Sequence, residues 1–190
     1  MALSPEDRRY LLRLARETIG RALEGKGPPT VDLKAVSEDL RRPGASFVTL
    51  TIGGQLRGCI GSIEPRRPLV LDVQENALGA AFRDPRFWPL TPEEFDRVRI
   101  EISVLTPPQP LAYEDPDDLI AKLRPGVDGV IIERGWHRAT FLPQVWEQLP
   151  DPHRFLAHLC LKAGLPADDY RRPGLSVFTY QVEKFEEEEE

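Results

Sequence analysis

Residues 46–61 read SFVTLTIGGQLRGCIG, and this stretch decides much of the fold. Its first seven residues are rich in Phe, Val, Thr and Ile, a composition typical of a half-buried strand. Gly53-Gly54 is a two-residue hairpin signal, because a type I′ turn needs positive φ at both central positions. The sequence therefore predicts an antiparallel hairpin whose second strand runs from Gln55 to Gly61.

The second strand of this hairpin carries the most unusual cluster in the chain, a thiol, a guanidinium and two glycines within six residues. Simple strand alternation predicts that Arg57 and Cys59 share one face with Gly61, while Leu56, Gly58 and Ile60 occupy the other. The glycines remove side-chain bulk beside the cysteine, so the backbone can bend there or a ligand can approach closely.

The segments around the hairpin predict a mixture of helices and antiparallel strands. A helix is expected to begin at Ser4-Pro5 and another to cover 68–82, whereas 97–106 alternates strictly between apolar and polar residues, as a half-buried strand does. Pro43-Gly44 predicts a turn. Because strands and helices do not alternate regularly, we expect an α+β fold with a largely antiparallel sheet flanked by helices.

The second half of the chain predicts a further hairpin around Arg134-Gly135, a helix over 151–163 and a final strand over 176–185. No linker is long enough to separate two independent domains, so we expect one domain over 1–185, whose lobes share a core. The run Glu186–Glu190 is expected to be a disordered acidic tail.

Composition excludes several classes of function. Of the 31 acidic residues, five form the C-terminal run, and the others nearly balance the 25 Lys and Arg, which argues against nucleic-acid binding. No apolar run approaches the ~20 residues that span a membrane. The start of the chain is unlike a secretory signal, which predicts a cytoplasmic protein with both cysteines reduced. The 19 prolines and single methionine are typical of a heat-adapted protein.

Cys59 has two interpretations. Cysteine is the strongest nucleophile among the side chains near neutral pH, and Arg57 could supply the positive charge that favours its thiolate. Alternatively, Cys59 is a small buried residue in a tightly packed turn, as free cysteines often are. A Cys-His dyad would draw on His137, His153 or His158.

Other side chains give weaker signals. Glu101 lies on the polar face of the strand over 97–106 and could act as a general base, although a solvated or paired carboxylate has the same pattern. Asp84 and Arg86 are expected to fix their own proline-rich loop. The chain lacks the common nucleotide, hydrolase and zinc-protease motifs, and we predict no metal and no cofactor.

Five motifs in a fixed order resemble the AMMECR domain family, and the resemblance runs from about residue 5 to about 185. The motifs are Phe47-Val48-Thr49-Leu50, Leu56-Arg57-Gly58-Cys59-Ile60-Gly61, Asp84-Pro85-Arg86-Phe87, Ile100-Glu101-Ile102-Ser103-Val104-Leu105-Thr106-Pro107-Pro108 and Phe141-Leu142-Pro143-Gln144-Val145.

The resemblance implies a larger and a smaller lobe with a cleft between them. The cleft would be lined by the Cys59 hexapeptide and the Asp84–Phe87 loop, which makes Gly58, Gly61, Asp84, Arg86 and Gln144 candidate ligand-binding residues. It also implies partners, because relatives are encoded or fused with Memo-type and radical SAM-like proteins. A modification system is implied, but no particular reaction.

These observations lead to one main hypothesis and one alternative. The main hypothesis is an enzyme or an acceptor subunit in which Cys59 is the reactive thiol, Arg57 binds or polarises an anionic group, and Glu101 moves protons. The alternative is a non-catalytic interaction module, in which the hexapeptide is only a packed corner.

Overall fold

A computed structural model describes residues 2–188 as a mixture of helices and mainly antiparallel strands, which confirms the α+β class. The helices are α1 Pro5–Leu23, α2 Glu38–Arg41, α3 Leu69–Leu78, α4 Pro92–Phe95, α5 Pro116–Lys122 and α6 Pro152–Lys162. The strands are β1 Pro43–Ile52, β2 Gln55–Gly61, β3 Arg67–Pro68, β4 Arg99–Leu105, β5 Gln109–Pro110, β6 Gly129–Arg134, β7 His137–Phe141, β8 Ser176–Tyr180 and β9 Val182–Glu186.

The described chain divides into two compact units. The first holds residues 2–105 and 183–188, and the second holds 106–182. Each has its own cluster of buried apolar side chains. That residues 1–185 form a single domain with a shared core stays a prediction.

The first unit is built on a sheet with the strand order β2-β1-β4-β9, in which β3 also pairs with the start of β1. Helix α3 packs against β1, and α1 packs against α3 and β4. The sheet face toward these helices carries fully buried side chains, including Val48, Leu50, Ile100 and Ile102. Thr49 and Glu101 alternate with these residues and therefore point to the opposite face.

The predicted hairpin is confirmed. Gly53 and Gly54 have φ values of +57° and +78°, and Ile52 pairs with Gln55 across the two-residue turn. The strand alternation was wrong at one point, because β2 contains a β-bulge that leaves Arg57 as the extra residue. Thr51 pairs with Leu56, but Leu50 pairs with Gly58. Leu56 therefore shares the face of Thr51, opposite to Gly58.

Helix α1 begins as predicted, since the Ser4 side chain accepts a hydrogen bond from the Asp7 amide and Pro5 is the first helical residue. Two other local predictions were wrong. Pro43 and Gly44 do not form a turn but are the first residues of β1. The first position of a strand tolerates proline, although proline has no backbone N–H to donate. The helix predicted over 68–82 is α-helical only to Leu78 and continues as a π-helical turn, Gly79–Arg83.

The predicted disorder of the acidic tail was wrong for its first two residues. Glu186 belongs to β9, and Glu187 accepts hydrogen bonds from the Ile100 amide at 2.9 Å and from Arg16 Nη2 at 2.5 Å. The edge of the sheet and the partly buried Arg16 therefore hold this part of the chain. Residues 189 and 190 lie outside the described residues.

The second unit contains a sheet with the order β5-β8-β6-β7, all pairs antiparallel. The hairpin around Arg134-Gly135 is confirmed, because Arg134 pairs with His137 and Gly135 has a φ of +62°. In the core of this unit, the rings of Trp146 and Phe155 stack with centroids 3.7 Å apart.

None of the helices formed by residues 2–188 is long and apolar enough to cross a membrane.

A buried carboxylate ties the sheet of the first unit to helix α3. Asp72 on α3 is 1% exposed and accepts hydrogen bonds from the amide and hydroxyl of Ser46 on β1, at 2.9 and 2.7 Å. Ser62, Arg67 and Asn76 donate to the same carboxylate. Removal of the Asp72 carboxylate would therefore leave all of these donors without this acceptor.

We predict that Asp72→Ala lowers the free energy of unfolding by about 2–4 kcal/mol, because buried donors lose a charged acceptor. Glu17→Ala, on the exposed face of α1, is the matched control and should change it by less than about 0.5 kcal/mol. Urea unfolding at neutral pH measures both. Equal effects of the two substitutions would contradict the role assigned to Asp72.

Candidate functional site

The backbone of Cys59 lies at the open edge of a sheet. Strand β2 is the last strand of the first unit's sheet, so its outward N–H and C=O groups lack a partner strand. A side-chain pair takes that place. The Cys59 N–H donates to Asp84 Oδ2 at 3.0 Å, and Arg86 Nη2 donates to the Cys59 carbonyl oxygen at 3.4 Å.

Asp84 is the centre of this arrangement. Its side chain is buried and accepts hydrogen bonds from Arg86 Nε at 3.0 Å, Arg86 Nη2 at 2.7 Å and the Arg86 amide at 3.1 Å. The Arg86 hydrogen bonds, opposed by burial and reinforced by the Cys59 N–H, hold the pKa of Asp84 well below its usual range. The carboxylate therefore stays ionised at any pH where the protein would work.

The π-helical turn Gly79–Arg83 brings Asp84 to this edge. The turn packs so closely against β2 that a Cβ atom on Gly58 would lie 2.1 Å from the Ala80 carbonyl oxygen. Likewise, a Cβ on Gly79 would lie 2.8 Å from the Ile60 side chain. Two glycines therefore permit the close approach, and π-helical turns recur at functional sites.

The thiol of Cys59 is half-buried and has a defined hydrogen-bond partner. Thr49 lies directly opposite on β1, and its hydroxyl donates to Cys59 Sγ at 3.3 Å. The other cysteine differs, because Cys160 is fully buried and that burial raises the pKa of its thiol. Only one of the two cysteines is therefore both accessible and oriented.

Glu101 lies in the same cross-strand row as Cys59. Thr49 pairs with Cys59 on one side and with Glu101 of β4 on the other, so the three residues share one sheet face. Strands are spaced about 4.8 Å apart, which puts Glu101 about 10 Å from Cys59 along this row. The structure brings the two candidates onto one surface, with Thr49 between them.

Arg57 is held in a partly buried ion pair with Glu94. Its Nε and Nη2 donate to the Glu94 carboxylate at 2.6 and 3.0 Å, and Nη2 also donates to the Trp88 carbonyl oxygen at 2.7 Å. The side chain is 12% exposed. Nη1 is buried and has no hydrogen-bond partner among the described residues.

The partner carboxylate is perturbed accordingly. The Arg57 hydrogen bond, opposed by burial and helped by the Thr91 amide, lowers the pKa of Glu94 to about 2. Glu94 also completes the capping box of α4 with Thr91. The Phe87 ring lies beside both guanidiniums, 5.6 Å from Arg57 Cζ and 5.5 Å from Arg86 Cζ. Two salt bridges and one aromatic ring thus fix the loop next to β2.

The two remaining predicted site residues, Gly61 and Gln144, make none of the contacts that hold Cys59. A Cβ on Gly61 would lie 2.2 Å from the Phe47 ring, so close packing already requires a glycine there. Gln144 is exposed in the 3₁₀ turn Pro143–Glu147 of the second unit, and its ligand-binding role stays a prediction. Among residues 2–188, no three His, Cys, Asp or Glu side chains are grouped to hold a metal ion.

Sequence reasoning missed Thr49 and Glu94 as members of the site. An uninterrupted hairpin would pair Cys59 with Val48, and only the bulge at Arg57 shifts the pairing to Thr49. The spacing of Thr91 and Glu94 fits a capping box, but no sequence spacing links Glu94 to Arg57. Both contacts depend on tertiary structure.

Comparisons with known proteins agree on one family. The AMMECR1 family model matches residues 12–185. A protein of Methanothermobacter thermautotrophicus is 44% identical over 189 residues, covering 98% of this chain and 97% of its own. Protein MJ0810 of Methanocaldococcus jannaschii is 39% identical, covering 98% and 93%. The crystal structure of the uncharacterized protein PH0010 from Pyrococcus horikoshii has a TM-score of 0.76 at 37% identity, covering 98% and 94%.

We predict that Gly58→Ala destabilises the protein by about 1–3 kcal/mol, because the new methyl group meets a backbone carbonyl that cannot rotate away. Gly27→Ala is the control, since nothing lies within 4 Å of its Cβ position. Thermal unfolding compares the two variants. An unchanged midpoint for Gly58→Ala would show that the π-helical turn is not packed against β2 as described.

We also predict a pH-dependent cost of Glu94→Gln, a change that keeps the capping box. A carboxylate with a depressed folded-state pKa stabilises above its unfolded pKa of about 4.3 and loses this effect as pH falls towards 2. The stability difference from wild type should therefore be about 2 kcal/mol at pH 7 and shrink below pH 4. Glu93→Gln is the control, and a difference independent of pH would contradict the Arg57–Glu94 pair.

Proposed function

Because the chain belongs to the AMMECR1 family, we propose that it acts through one oriented thiol, Cys59, as an enzyme nucleophile or a covalent acceptor subunit. One observation carries this proposal. Each polar group of Cys59 is held by a different side chain, the N–H by Asp84, the carbonyl oxygen by Arg86 and the sulfur by Thr49. Such support is what a reactive group needs to be held in one geometry.

The chemistry requires an electrophilic donor. Cys59 Sγ forms a bond to an electrophilic carbon, and the leaving group departs from that carbon with its bonding electron pair. The thiol proton passes through water to a base, and Glu101 on the same sheet face is the candidate acceptor. In an enzyme the resulting adduct is then released, whereas in an acceptor subunit it is the product.

The proposal includes partners. The resemblance carried by the sequence motifs implies Memo-type and radical SAM-like proteins, and in this account one of them supplies the group that Cys59 receives. An accessible thiol on a small protein suits such a transfer, because the donor and the acceptor can be bound by different subunits. The cytoplasm, predicted as the location, would keep the thiol reduced between cycles.

An interaction module is the second candidate, and the exposure of one aromatic residue favours it. Trp88 is 87% exposed in a loop stiffened by prolines, and exposed tryptophans are common anchors of protein interfaces. In that case Cys59→Ser leaves partner binding intact, while Gly61→Leu disrupts the hairpin through Phe47. The thiol proposal expects instead that Cys59→Ser abolishes function.

We predict that a thiol-specific reagent labels Cys59 in the native protein at least about tenfold faster than Cys160, because only Cys59 is accessible. Thr49→Val removes the hydrogen bond to sulfur at nearly constant volume and should slow the labelling of Cys59 several-fold. Mass spectrometry of the two cysteine peptides measures both rates. Labelling of Cys59 no faster than that of Cys160 would refute the reactive-thiol proposal.

A further inference from the structure

Arg86 keeps part of its hydrogen-bonding capacity unused. Its Nε and Nη2 form a fork on Asp84, and Nη2 also reaches the Cys59 carbonyl oxygen. Nη1, with two further N–H donors, has no acceptor among the described residues of its own unit, and the side chain is 55% exposed. A guanidinium fixed along one side presents its remaining donors in a defined direction.

Arg57 does not offer the same opportunity. Its one atom without a hydrogen-bond partner, Nη1, is buried, so a molecule from solution cannot reach it without displacing the loop. Its other donors are occupied by Glu94 and the Trp88 carbonyl oxygen. The anion-binding role that the sequence suggested for Arg57 therefore fits Arg86 better.

The position of Arg86 beside the thiol gives this capacity a use. Arg86 is hydrogen-bonded to the backbone of Cys59 itself, and the Phe87 ring lies beside the guanidinium. The pKa of Arg86 is raised, mainly by Asp84 and to a smaller extent by the nearby Cys59. An anionic group bound at Nη1 would therefore lie beside the residue that carries the reacting sulfur.

We propose that Arg86 Nη1 binds an anionic oxygen group, a carboxylate or a phosphate, on the molecule that reacts with Cys59. This rests on the proposed function, since it names the substrate class of the same thiol. Asp84 balances the single positive charge of the guanidinium, and Glu101 on the sheet face adds a negative charge about 10 Å from Cys59. The preference therefore depends on directed hydrogen bonds more than on net charge.

Two alkylating reagents of the same size test the proposal. Iodoacetate carries a carboxylate, whereas iodoacetamide is neutral, and both form the same bond to sulfur with loss of iodide. The measured quantity is the rate constant of iodoacetate divided by that of iodoacetamide at Cys59. This ratio is determined for the native protein and for the protein unfolded in urea. We expect the ratio to rise about tenfold on folding, the effect of one charge-assisted hydrogen bond pair.

Variants identify the residue responsible. Arg86→Gln should return the ratio to its unfolded value, whereas Arg66→Gln, at an exposed arginine elsewhere in the same unit, should leave it unchanged. Because Arg86→Gln removes the main partner of Asp84, Arg86→Lys provides a second variant that keeps the charge, and an intermediate ratio is expected. Circular dichroism confirms that each variant is folded.

Competition distinguishes the two anion classes. If inorganic phosphate slows the reaction of Cys59 with iodoacetate but not with iodoacetamide, the substrate carries a phosphate. If acetate has this effect, the substrate carries a carboxylate. If Cys59 reacts with iodoacetamide and shows no preference for iodoacetate, the anion site is overturned while the reactive thiol stands. If Cys59 reacts with neither reagent, the proposed function itself fails.

Discussion

The close approach of the Ala80 carbonyl to Gly58 is the constraint on which the site depends. At 2.1 Å from the position of a Cβ, the carbonyl oxygen leaves room only for hydrogen at residue 58. This contact lets the π-helical turn lie against the edge strand, and the chain then leaves the turn directly at Asp84. The position of the carboxylate is therefore set by backbone packing rather than by the loop that follows.

From that position the Asp84–Arg86 pair substitutes for a missing strand. An edge strand exposes N–H and C=O groups that would otherwise pair with water or with another chain. Here one residue, Cys59, has both groups bound by oppositely charged side chains. Only the Arg86 side of this salt bridge is exposed, because the Asp84 carboxylate is buried. The effect of the pair is geometric, because the backbone that carries the thiol cannot turn away.

The parts of this arrangement differ in how far the sequence reveals them. The Gly53-Gly54 turn, the cap at Ser4 and the alternation that becomes β4 follow from local rules, and the structure confirms them. The bulge at Arg57 and the π-helical turn after Leu78 do not follow, because each inserts one residue into an otherwise regular pattern. A shift of one residue changes which side chains meet.

For the site itself, residue chemistry singled out Cys59 and Arg57, the family resemblance added Asp84 and Arg86, and the structure groups all four in the first unit. What chemistry alone did not give is their pairing. The loop was expected to be fixed by Asp84 with Arg86, and it is, but the same pair also holds Cys59. Thr49 entered only through the register of β1 against β2.

Hydrogen exchange at the Cys59 amide tests this account most directly. If its N–H is bound to the buried Asp84 carboxylate, it should exchange at least about 100-fold more slowly than the amide of Gly54 in the exposed hairpin turn. Exchange of Cys59 at the rate of Gly54 would show that the edge is open, and the thiol would then lack the support on which its proposed function rests.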